Sequence, residues 1–164
     1  MKHLFCKFII EKEKEMKYLK LSLLAASVIF SQGAFAHSEE YLDTQTAPHG
    51  GQLRMAGIYH YELVVTKDSN DVKENPVVVY VTDHSGAKIA TAGASGTATI
   101  LAGKLKATVS LKPDGDNRMK GLGKYASTPG MKVVVSITLS AKQPEQTRFT
   151  PLAVAQDEHM DHKH

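Results

Sequence analysis

Side chains that could bind a metal ion gather in one early stretch of the sequence. His49 follows Pro48 and precedes two glycines, so a turn of restricted shape presents its imidazole. Met55 comes next, and His60 and Glu62 follow it two residues apart. Alternation along a strand would place His60 and Glu62 on the same face, about 6–7 Å apart. Imidazole, thioether and carboxylate groups together suit an open copper or zinc site.

Each of these histidines also has a simpler interpretation. His49 can be a turn residue whose ring bonds the backbone, and His60 can be an exposed or hydrogen-bonded strand residue. Both interpretations stay open at this stage. His84, in a turn of composition Asp-His-Ser-Gly, is a further candidate ligand on the same grounds.

The end of the chain carries a second group of metal-binding side chains. Neutral imidazoles and carboxylates interleaved in a short polar segment suit Zn²⁺, Cu²⁺ or Ni²⁺, and a thioether among them favours Cu⁺. The candidate ligands there are His159, Met160, His162 and His164, with Asp157, Glu158 and Asp161 beside them. The alternative is a solvated, charged terminus without a preformed site.

The first 36 residues have the organisation of a secretory signal peptide. Met16 is the expected start, with residues 1–15 an upstream extension, and an apolar run over 21–30 follows two lysines. The small-x-small sequence ending at Ala36 predicts cleavage there, and hence a periplasmic protein with no stable membrane anchor. His37 would then be the first residue. Its free amine and ring could chelate Cu²⁺ together with a second histidine, although His37 can equally be an ordinary first residue.

Removal of this segment changes both the charge and the cysteine content of the chain. Cys6 is the only cysteine, so the exported protein would have neither disulfides nor thiolate metal sites. The precursor has a formal charge of +3, but residues 37–164 contain equal numbers of basic and acidic residues. We therefore expect no nucleic-acid partner, because such a role requires a basic surface.

The rest of the chain alternates between apolar and polar residues as strands do. The alternation is clearest over 104–111 and 131–139, and glycine- or proline-containing turns separate the short segments. Seven or eight such segments predict an all-β fold, a single immunoglobulin-like β-sandwich over residues 47–152. Residues 37–46 are expected to form a flexible arm, and residues 153–164 a flexible tail.

Several of these segments together resemble a known class of envelope proteins. The Ala-Pro-His-Gly-Gly turn at 47–51, the strand at 59–65, the Val-Tyr-Val-Thr-Asp run at 79–83 and the turn at 111–117 carry the resemblance. The chain resembles small periplasmic proteins that accompany heavy-metal efflux systems, and the extra N-terminal β-domain of some heavy-metal efflux adaptors. The resemblance implies a metal-linked role in the envelope, with His49 and Glu62 as the matching polar positions.

Three functions remain open from the sequence. The first is a periplasmic protein that binds copper or zinc, with nickel as a further candidate, and buffers the ion or delivers it to an efflux pump or its adaptor. The second is a β-sandwich that docks on an envelope complex without catalysis. The third is a copper redox enzyme that uses His37 as a brace. Because nucleophile-elbow and phosphate-loop motifs are lacking, we expect no enzyme.

Overall fold

The structure is a computed structural model that describes residues 39–67 and 69–153. Within these ranges one short helix comes first and eight strands follow. They are α1 (Glu39–Asp43), β1 (Gln52–Ala56), β2 (Tyr59–Val65), β3 (Lys73–Asp83), β4 (Ser95–Ala102), β5 (Leu105–Pro113), β6 (Arg118–Tyr125), β7 (Lys132–Thr138) and β8 (Pro144–Phe149). The predicted all-β fold class is confirmed. No helix in this part of the chain is long and apolar enough to cross a membrane.

The eight strands form one antiparallel sheet that folds over on itself. Their order is β1-β2-β3-β6-β5-β4-β7-β8, and the ladder between β5 and β6 is limited to Lys112 and Pro113 on the β5 side. The two outer strands, β1 and β8, lie beside each other. There the backbone N–H of Thr150 donates a hydrogen bond to Oε1 of Gln52 at 2.8 Å. The sheet is therefore nearly closed, with its core enclosed between the two halves.

Alternation decides which side chains enter this core. On β2, Tyr59, Tyr61, Leu63 and Val65 are buried, and on β7 every second residue is buried in the same way. The buried apolar side chains of all eight strands join one continuous cluster. Burial of this apolar surface is the main favourable contribution to folding. The burial of one face of each strand leaves the opposite face exposed to solvent and available for binding.

Helix α1 packs against β1 at the start of the described chain. Leu42 is buried, and the guanidinium of the buried Arg54 donates to both carboxylate oxygens of Asp43, at 2.6 and 3.1 Å. This ion pair lowers the pKa of Asp43 below its usual value, chiefly through the hydrogen bond from Arg54. The sequence prediction of a flexible arm over 37–46 did not anticipate this helix, because a single buried leucine leaves no helical periodicity to detect.

Candidate functional site

The candidate ligands of the folded domain lie on one face of the sheet, opposite the core. On this outer face Met55 of β1, His60 of β2 and Thr82 of β3 are cross-strand neighbours in register. Two residues further along β2, Glu62 is the cross-strand neighbour of Tyr80 on β3. His60 and Glu62 do share a face, as the alternation predicted.

The turn that carries His49 is built around the carboxylate of Glu62. Only 3% of Glu62 is exposed, and its Oε1 accepts the backbone N–H groups of His49 at 2.8 Å and of Gly51 at 3.0 Å. A side chain at position 51 would collide with the backbone oxygen of Leu63 and with the side chain of Glu62, so glycine is required there. Gly50 has a φ of 72°, which glycine adopts without strain. The two glycines thus allow the loop to close on the buried carboxylate.

The second oxygen of the same carboxylate fixes the imidazole of His49. Oε2 lies 2.7 Å from Nδ1 of His49. Because a carboxylate only accepts hydrogen bonds, Nδ1 carries a proton, and in the neutral ring Nε2 is the acceptor. The His49 side chain is 42% exposed, so solvent reaches the ring. A histidine oriented in this way by a carboxylate is the usual arrangement of a metal ligand and its supporting residue.

Tyr80 supports the imidazole of His49 from the sheet side. The two rings are stacked, with centroids 3.5 Å apart and planes inclined by 2°. The hydroxyl of Tyr80 beside the guanidinium of Arg118 is the main reason that the pKa of Arg118 is raised. Arg118 also pairs with Asp114 at 2.9 Å. Sequence reasoning missed Tyr80 as a site residue, although its outward position in the alternating run at 79–83 was the available signal.

A second pair of imidazoles lies on the same face. The rings of His60 and His84 have centroids 4.8 Å apart, with planes inclined by 48°. The turn that carries His84 is held by Asp83, whose Oδ1 accepts hydrogen bonds from Ser85 N–H, from the Ser85 hydroxyl and from Ala87 N–H. The hydrogen bond from the Ser85 hydroxyl is the main reason that the pKa of Asp83 is lowered. His84 is therefore presented by an ordered turn.

A cavity of about 320 Å³ adjoins this histidine pair. Helix α1 and the segment that follows it form one wall of the cavity, and the outer face of the sheet forms the other. The cavity is lined by Tyr41, Leu42, Gln45, Thr46 and Pro48 on the first side, and by Leu53, His60, Thr82, His84, Ser85 and Gly86 on the second. A small ion with its remaining ligands has room there.

The folded-domain candidates thus separate into two pairs, His49 with Glu62 and His60 with His84. Among the described residues, no group of three or more His, Cys, Asp or Glu side chains is placed to hold a metal ion. Met55 adds a sulfur donor beside His60, directly across the strand pair. The remaining sequence candidates, His37, His159, Met160, His162 and His164, lie outside the described residues.

Comparisons of the chain with protein-family models, with curated proteins and with solved structures find no match.

Proposed function

We propose that the protein binds a transition-metal ion, copper or zinc first, between His60 and His84, with Met55 as a third ligand. The observation that carries the proposal is the 4.8 Å separation of the two imidazole centroids. With metal–nitrogen distances of about 2.0–2.1 Å and ligand angles of about 90–110°, two imidazoles on one ion have centroids about 4.5–5.2 Å apart. The rings thus have the spacing that a shared ion requires.

Met55 makes this site suitable for copper in particular. It is the direct cross-strand neighbour of His60, and both side chains leave the sheet on the outer face. A thioether beside two imidazoles favours Cu⁺, whereas Zn²⁺ would bind the two nitrogens and complete its shell with solvent or carboxylate oxygen. The expected nickel binding would also depend on the imidazoles, because Ni²⁺ prefers nitrogen donors.

The role that suits such a site is reversible binding. Two or three protein ligands beside an open cavity leave coordination positions for an exchanging ligand, whereas closed structural sites retain their ion. We infer that the protein buffers the ion in the periplasm or delivers it to a heavy-metal efflux pump or its adaptor, without catalysis. The resemblance of the segments at 47–51, 59–65, 79–83 and 111–117 to efflux-associated periplasmic proteins supports this role.

His49 has a separate place in this proposal. Glu62 orients the ring, so Nε2 faces outward and can supply one nitrogen ligand to an ion. The other ligands of that ion would come from a mobile donor. Glu62 acts in this arrangement as a positioning residue, because both of its oxygens already accept hydrogen bonds. His60 and His84 remain the principal ligands.

Isothermal titration calorimetry tests the assignment. All proteins would carry alanine in place of the tail histidines, so that only the folded domain is measured; these are His159, His162 and His164. We expect His60→Ala and His84→Ala each to weaken Cu²⁺ or Zn²⁺ binding at least about tenfold. The matched control, Thr108→Ala, changes an exposed residue of β5 away from these ligands and should leave this affinity unchanged. Binding no tighter than about 10 μM for every ion, or equal affinity in all variants, would contradict the proposal.

A further inference from the structure

Three large apolar side chains remain exposed at one end of the sheet. Leu105 begins β5 and is 52% exposed, and Leu101 near the end of β4 is 41% exposed. Val72, just before β3, is 53% exposed. A cavity of about 70 Å³ places Val72 and Leu105 together, because both line it. Exposed apolar side chains grouped in this way mark an interaction surface more often than scattered ones do.

Exposed lysines surround these three apolar side chains. Lys106 and Lys132 are the cross-strand neighbours of Leu101, and Lys124 lines the small cavity together with Lys106. We call the whole surface the basic end. It comprises Val72, Leu101, Leu105, Lys73, Lys104, Lys106, Lys124 and Lys132.

The basic end carries a net positive charge. Over residues 39–67 and 69–153, none of its five lysines forms an ion pair. Three acidic residues lie nearby: Asp71; Glu74, which is the cross-strand neighbour of Lys124; and Glu39, which lines a cavity with Leu101 and Lys132. At the opposite end of the strands two basic side chains have acidic partners. There Lys88 lies 3.7 Å from Asp116, and Arg118 pairs with Asp114.

We propose that the basic end docks on an anionic phospholipid surface. The lysines would contact the lipid phosphates, and Val72, Leu101 and Leu105 would enter the headgroup region. The lysines and the apolar side chains are both needed. Each lysine near an anionic bilayer strengthens binding about fivefold, and the apolar side chains add contact that salt does not screen. Such docking would hold the protein at a membrane without an anchor, and it uses none of the proposed metal ligands.

Sedimentation with lipid vesicles tests this surface. The probes are vesicles of phosphatidylglycerol mixed with phosphatidylcholine, and vesicles of phosphatidylcholine alone. We expect binding to the anionic vesicles only, and a loss of at least about tenfold in the double variant Lys106→Glu/Lys124→Glu. Leu105→Ser should weaken binding severalfold even in high salt, where the electrostatic contribution is screened.

The matched control is Lys112→Glu/Lys142→Glu, which makes the same charge change with lysines near the opposite strand ends. All proteins share one N-terminus, so any lipid contact made by residues 21–30 is common to them. Three results would overturn the proposal: no binding to anionic vesicles, equal loss in both double variants, or a lipid-free dimer that Leu105→Ser dissociates. Circular dichroism of each variant confirms that the fold is retained.

Discussion

Nδ1 of His49 lies 2.7 Å from Oε2 of Glu62, a carboxylate that is almost completely buried although its partner ring is half exposed. The same carboxylate accepts two backbone N–H groups of the loop, from His49 and Gly51. One side chain therefore fixes the shape of the turn, the tautomer of the imidazole and the direction of its free nitrogen.

Replacement of Glu62 by glutamine should disturb the shape of the turn, the tautomer of His49 and the direction of its free nitrogen. The amide group would present a donor to Nδ1–H or to the loop N–H groups, and one buried donor would lose its acceptor. We expect Glu62→Gln to lower the free energy of unfolding by about 1–3 kcal/mol, measured by urea denaturation. Glu74→Gln, an exposed change on β3, should stay within about 0.5 kcal/mol of the parent protein. Similar values for the two variants would show that the Glu62 hydrogen bonds do not organise the loop.

Replacement of Met55 by leucine should lower the affinity for Cu⁺ more than the affinity for Zn²⁺. Leucine keeps the size and apolar character of the side chain, so the fold should be unaffected. Because a thioether binds Cu⁺ far better than Zn²⁺, we expect Met55→Leu to weaken Cu⁺ binding at least about tenfold and Zn²⁺ binding less than about twofold. Competition titrations with a chromogenic chelator measure both ions. A Cu⁺ affinity equal to that of the parent would remove Met55 from the ligand set.

Alternation in the sequence was enough to predict the all-β class and the strands that later became β2, β5 and β7. It was also enough to place His60 and Glu62 on one face, because the period of a strand leaves no other choice. Strand β1 escaped detection: it is five residues long, and its inward positions include the charged Arg54. An ion pair with α1 compensates that charge, and no local pattern reveals such a partner.

The composition of the site was less predictable than the strands. Which residues of β3 stand beside His60 and Glu62 depends on the β2–β3 register, and a shift by one residue would have exchanged Tyr80 for a core valine. The contact between His60 and His84 depends on that register and on the Asp83 turn together. Long-range pairing of this kind has no signature in a single sequence.

The Asp43–Arg54 ion pair should make α1 sensitive to acid. The pKa of Asp43 is lowered in the folded protein from its model-compound value of 3.8. The contribution of Asp43 to stability is thus present above that value and is lost as the pH falls through the folded pKa. Since Asp43 is half exposed, we expect Asp43→Asn to cost less than about 1 kcal/mol at pH 7 and to cost nothing at pH 2.

Urea denaturation at several pH values between 2 and 7 measures the difference between the Asp43 variant and the parent. Glu40→Gln, on the exposed side of the same helix, is the matched control and should show no such pH dependence. If the free energy of unfolding of Asp43→Asn differed from that of the parent by the same amount at every pH, an electrostatic role for the Asp43–Arg54 pair would be contradicted.

Two buried tyrosines should respond oppositely to loss of the hydroxyl group. The hydroxyl of Tyr61 has no hydrogen-bond partner among the described residues, whereas that of Tyr125 donates to the backbone oxygen of Pro76. We expect Tyr61→Phe to be neutral or stabilising and Tyr125→Phe to cost about 0.5–1.5 kcal/mol. Thermal and urea denaturation measure both, and equal losses would contradict the assigned hydrogen bonding.

Tyr61 should also affect stability in alkali. Burial raises its pKa above the ordinary value of 10.0, with further contributions from Glu145 and Tyr59. The contribution of Tyr61 to the free energy of unfolding is therefore complete below pH 10. It decreases at higher pH, because the phenol ionises more readily in the unfolded chain than in the folded protein. Tyr61→Phe should lack this component of alkaline destabilisation when its unfolding is compared with that of the parent above pH 10.

The position of a bound metal ion tests the central proposal most directly. Crystals of the protein grown with Cu²⁺ or Zn²⁺ would be measured by anomalous diffraction at the absorption edge of that metal. We predict an anomalous peak about 2.0–2.1 Å from one ring nitrogen of His60 and from one ring nitrogen of His84. A fully occupied ion elsewhere on the chain, with the pair of His60 and His84 left without metal, would contradict it.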